Sequence, residues 1–121
     1  MPRRAAHAIA WILAAVWVLN GVWAFVAPQS FYDTVATFPP YNIHFLHDIG
    51  AFSIGLGAVL GLAMGMRRWS APKSALVGVG IGSVVHFASH IVDYDIKPSV
   101  TDLVGLGLWA AITLAAGLAL D

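Results

Sequence analysis

The sequence predicts an all-α protein, a four-transmembrane-helix bundle with both termini cytoplasmic. Three observations lead there. Hydrophobic residues make up 60% of the chain and charged residues only 10%, with a mean hydropathy of +0.81, a balance found in integral membrane proteins rather than soluble domains. Four apolar segments, roughly 5–27, 42–66, 72–93 and 100–120, are each long enough to cross about 30 Å of hydrocarbon at about 1.5 Å per residue. In that arrangement Arg3, Arg4, Arg67, Arg68 and Lys73 fall on one side and Lys97 on the other, which by the positive-inside rule places both ends in the cytoplasm. The expectation is one domain, 1–121, in the lipid bilayer of the plasma, or inner, membrane.

Local signals justify each element in turn. The opening Met-Pro-Arg-Arg followed by apolar residues resembles a signal peptide. The run 5–27 is nevertheless too long for a signal core, carries Trp11, Trp17, Trp23 and Asn20, and lacks a small-x-small cleavage site. It reads as the first helix, closed by Pro28. An external loop, 28–41, contains Asp33 and ends in Pro39-Pro40-Tyr41-Asn42, with Asn42 placed to cap the second helix. Ser70 and Pro72 suit the first turn of the third. A second external loop contains Asp95, and Ser99-Val100-Thr101-Asp102 opens the fourth helix as a variant of the capping box. Gly57, Gly61 and Gly65, and Gly78 with Gly82, recur at one-turn spacing and predict close helix packing, either internal or in an oligomer. Trp11, Trp17, Trp23 and Trp69 read as lipid-facing or interfacial, and Tyr32, Tyr41 and Tyr94 as an outer aromatic belt.

Composition also excludes functions. The net charge is zero and the six Lys and Arg are scattered, so no basic surface for nucleic acid is expected. The absence of Cys removes disulfides, thiolate zinc sites and iron–sulfur ligation.

Residues 20–28, Asn-Gly-Val-Trp-Ala-Phe-Val-Ala-Pro, followed by a short amphipathic loop and then residues 48–57, Asp-Ile-Gly-Ala-Phe-Ser-Ile-Gly-Leu-Gly, resemble small DoxX-like four-helix membrane proteins. The resemblance lies mainly in the first half of the chain. It implies a four-helix fold and carries over no catalytic residue.

The chemistry-bearing residues form two groups. His86, His90 and Asp93 end the third segment at spacings that put them on one helical face. His44, His47 and Asp48 begin the second, on a face continuing through Ala51, Gly55 and Ala58, where a neighbouring helix is expected. With alternating topology both groups lie in the outer leaflet, His86 about 10 Å and Asp48 about 9 Å from the ends of their helices. An ionisable group inside a membrane is costly and is expected to have a partner, so a shared site is the natural expectation. Imidazole nitrogen and carboxylate oxygen suit a divalent transition metal such as zinc, iron, nickel or copper. Asn20, Asp102 and surplus carboxylates are candidates to support the ligands.

Blander roles exist for single members of these groups. Asp102 fits a cap alone, His44 an interfacial residue, and His90 with Asp93 a surface pair at a helix C-terminus. His7, near the cytoplasmic end, receives no role.

Three functional readings follow from the sequence. The first is a metal-binding membrane protein, either a metal-dependent membrane enzyme or a metal-handling protein, with the site His44, His47, Asp48, His86, His90 and Asp93. The second is a redox subunit binding b-type haem or quinone between opposed histidines such as His47 and His86. The third is a non-enzymatic accessory subunit of a larger membrane complex. No nucleophile motif or phosphate-binding loop points to a particular reaction.

Overall fold

The computed structural model describes residues 1–66, 70–96 and 98–120. Arg67, Arg68 and Lys97, which enter the orientation argument, and Trp69, expected at the interface, lie outside the described residues. The chain is all helical: α1 (Arg3–Val26), α2 (Pro28–Thr34), α3 (Ile43–Gly65), α4 (Ser70–Val92) and α5 (Val100–Leu118). α1, α3, α4 and α5 are long and apolar enough to cross a membrane.

The expected caps are present. Asn42 Oδ1 accepts from the Phe45 N–H at 3.1 Å, and Ser99 Oγ accepts from the Asp102 N–H at 3.2 Å, each satisfying a donor that the first helical turn leaves orphaned. The expected loop 28–41 instead begins with a helix. Pro28 cannot extend α1, but its fixed φ suits the first turn of a new helix. α2 then buries Phe31 against Ala24 of α1 and Leu46 of α3. The rings of Trp23 and Phe31 meet edge to face at 5.5 Å.

The four long helices form two antiparallel pairs, α1 with α3 and α4 with α5, joined by smaller α1·α5 and α3·α4 contacts. One core unites all four long helices at the end where α1 begins: Ala6, Ala10, Leu13 and Ala14 meet Leu60, Leu76, Val79 and Ala116. At the opposite end the buried cluster is Ala24, Phe31 and Leu46, from α1, α2 and α3. The end of α4 therefore lies outside either buried cluster.

Backbone approach sets the α1·α3 pair. A Cβ on Gly57 would sit 2.6 Å from Val18 Cγ2 and 2.8 Å from the Ala14 carbonyl oxygen, and one on Gly21 would sit 2.7 Å from the Gly50 carbonyl oxygen. In α4·α5, Gly80 meets Leu114 and Gly117 meets Val77 in the same way. The glycine repeats read from the sequence are thus only partly the packing glycines. Gly57 makes the close contact, Gly61 just reaches Trp11 at 3.9 Å, and Gly65, Gly78 and Gly82 have nothing within 4 Å.

This contrast is testable by substitution. Gly57→Ala should destabilise the protein by about 1–3 kcal/mol, because the added methyl meets backbone as well as a side chain. Gly82→Ala should be neutral or stabilising by up to about 1 kcal/mol, since alanine is the better helix former and the space is open. Denaturant unfolding in detergent micelles measures both; equal losses would contradict the assignment of contacts.

Candidate functional site

α3 turns Leu46, Gly50, Ser53, Gly57 and Leu60 inward. With 3.6 residues per turn, His44 and Asp48 are thereby carried to the far side of the helix. Their side chains are 85% and 54% exposed, with Nε2 and Oδ2 3.7 Å apart. That separation is an ion-pair distance when His44 is protonated, but too long for a hydrogen bond. The face expected to receive a neighbouring helix has none: Ala51, Gly55 and Ala58 are exposed, and Gly55 has nothing within 4 Å of an added Cβ. His47 does not join the pair. Half-buried, it lies against the Phe25 ring of α1 at 4.8 Å and 32°.

On α4 the imidazoles of His86 and His90 are neighbours, ring centroids 5.0 Å apart and planes at 66°. The spacing of four residues brings them together on one turn. His86 is exposed and His90 half-buried, with the Phe38 ring 6.5 Å from His90. Asp93, half-buried, lies just beyond the end of α4, and its N–H donates to the Ser89 carbonyl at 2.8 Å. The Ser89 hydroxyl donates to the His86 carbonyl at 2.7 Å. Among the described residues neither the His86 nor the His90 imidazole has a hydrogen-bond partner.

Among the described residues, no three His, Asp or Glu side chains gather into a group that could hold a metal ion. The six residues expected to share one site are therefore distributed: an exposed His44–Asp48 pair, His47 against Phe25, the His86–His90 pair, and Asp93 at the end of α4. The cause is the rotational setting of α3. The glycine contacts fix it, and they turn His44 and Asp48 away from α1. The ring contacts of His47 and His86 are with Phe25 and His90.

The remaining polar groups mostly satisfy themselves locally. Asn20, a candidate to support the ligands, donates from Nδ2 to the Val16 carbonyl of its own helix at 3.0 Å. Ser83 donates to the Val79 carbonyl at 2.9 Å, and Thr113, fully buried, to the Trp109 carbonyl at 2.8 Å. His7 Nδ1 donates to the Arg3 carbonyl at 2.9 Å. Trp17, expected to be lipid-facing or interfacial, packs against the core and meets Trp109 edge to face at 6.3 Å. Among the described residues its buried Nε1 has no hydrogen-bond partner, a feature that aromatic spacing alone does not signal.

Four apolar helices of spanning length mark the chain as an integral membrane protein of the α-helical class. No protein-family model, curated protein or solved structure matches the chain. The expected resemblance to DoxX-like proteins, on residues 20–28 and 48–57, has no match behind it. Those segments contain Gly21, Gly50 and Gly57, the close contacts of α1 with α3.

Proposed function

We propose that the protein is a metal-handling protein of the plasma membrane that takes a divalent transition-metal ion through His86 and His90 on its extracytoplasmic side. The observation that carries this reading is the pairing of two imidazoles 5.0 Å apart at the end of a spanning helix, with no hydrogen-bond partner among the described residues. Polar groups in such a position call for a ligand, water or a partner. Neutral imidazole is a general ligand for zinc, copper, nickel and iron. A ring pair at i, i+4 forms a two-point chelate, and the other coordination positions are then open to water or to further ligands. That is the character of a transfer site, as opposed to a closed structural site with four protein ligands. Asp93, one turn beyond His90, is the nearest carboxylate in the sequence to support it.

The orientation belongs to the same proposal. The bias of Lys and Arg puts both termini in the cytoplasm and the end of α4 outside. No reaction is assigned.

Purified protein equilibrated with zinc or copper and freed of excess ion should retain one ion per chain. His86→Ala and His90→Ala should each remove it, whereas His44→Ala should not. Retention should fall in acid, because protonated imidazole cannot ligate. An ion retained by the His86→Ala/His90→Ala double variant, or none bound by the unsubstituted chain, would overturn the proposal.

A further inference from the structure

The outward face of α3 has a period of its own. His44, Asp48, Ala51, Gly55, Ala58 and Leu62 follow one another at intervals of four, three, four, three and four residues, the 3.5-residue repeat of a left-handed coiled-coil seam. Every one of them is exposed, on the side of the helix away from α1. The seam is polar at one end, small in the middle and apolar beyond. Small residues admit a second backbone closely in a membrane, where left-handed crossings near +20° are common. Polar residues at such positions fix the register between partners.

From this we infer that α3 is the interface at which two copies of this chain associate as a parallel dimer. The charge pattern selects the occupant. Two copies inserted in the same orientation are related by a two-fold axis along the membrane normal, and such an interface must complement itself. His44 and Asp48 are one imidazole and one carboxylate on one face, one turn apart, so the seam carries both halves of the pair. In a parallel knobs-into-holes seam like positions face each other across the axis, and the hole that receives each His44 is completed by Asp48 of the partner subunit, so two imidazoles and two carboxylates gather at one end of the interface. Lipid offers these exposed groups nothing comparable. The inference is independent of the role proposed for His86 and His90.

The absence of native Cys makes the test direct. Single cysteines at Ala51 and Ala58 should form oxidative cross-links between copies in membranes. Cysteines at Val85 and Ile112, exposed at 64% and 47% on α4 and α5, serve as collision controls and should not. Gly55→Leu, at an exposed position where an added Cβ has nothing within 4 Å, should abolish the cross-link at position 58 while leaving the monomer folded. Within the Ala58→Cys chain, His44→Asp should weaken cross-linking by setting carboxylates against one another, and His44→Asp/Asp48→His should restore it. Cross-linking no stronger at 51 and 58 than at the controls, or undiminished by Gly55→Leu, would overturn the inference.

Discussion

The contact on which this fold depends is the backbone approach of α1 to α3 at Gly21, Gly50 and Gly57. Inside a bilayer, lipid tails are as apolar as leucine, so sequestering side chains from water does not hold two helices together. Close packing does, through many small dispersion contacts available only when backbones come near. The same device, at Gly80 and Gly117, joins α4 to α5. Once these glycines set the rotation of each helix, every other side chain on it has its direction decided. Gly57 against Val18 is thus the reason His44 and Asp48 face outward, although neither touches α1.

The distribution of polar groups follows from that geometry. Ser83, Thr113 and Asn20 return their donors to carbonyls of their own helices, which lets them sit within spanning segments at little cost. His7 shows that an imidazole can do the same, through Arg3. His86 and His90 do not, and they lie where α4 runs past the last buried cluster, with His90 next to Phe38. Among the described residues the pair is consequently unsatisfied, and it is accessible, whereas Thr113 is satisfied and inaccessible.

Much of the architecture was legible in the sequence. All four spanning helices begin and end within two residues of their expected limits, since their boundaries coincide with Pro28, Asn42, Ser70 and Ser99, residues with definite local preferences. α2 was not legible: seven residues are too few for a periodic signal, and its stability comes from burying Phe31 against α1 and α3. The faces of α3 were the harder problem. A soluble helix declares its inward face by an apolar stripe, but a membrane helix is apolar on every side. On α3 small residues occupy both the buried line through Gly50 and Gly57 and the open line through Ala51 and Gly55. Pattern alone gives them equal standing, so the expectation of a shared six-residue site rests on the open line, whereas the structure sets His44 beside Asp48 and His86 beside His90. The His86–His90 pair was legible because it depends only on spacing within one helix.

If the two imidazoles are free of the fold, they belong to function and not to structure, and this distinguishes the present account from a buried structural lock. The most direct measurement is the unfolding free energy of metal-free His86→Ala/His90→Ala protein against the unsubstituted chain in the same micelles. The account predicts no change beyond about 0.5 kcal/mol, the range of substitutions that touch no packed or bonded feature. A loss of about 2 kcal/mol or more, the scale of breaking buried hydrogen bonds, would contradict it and show that the pair holds the bundle together.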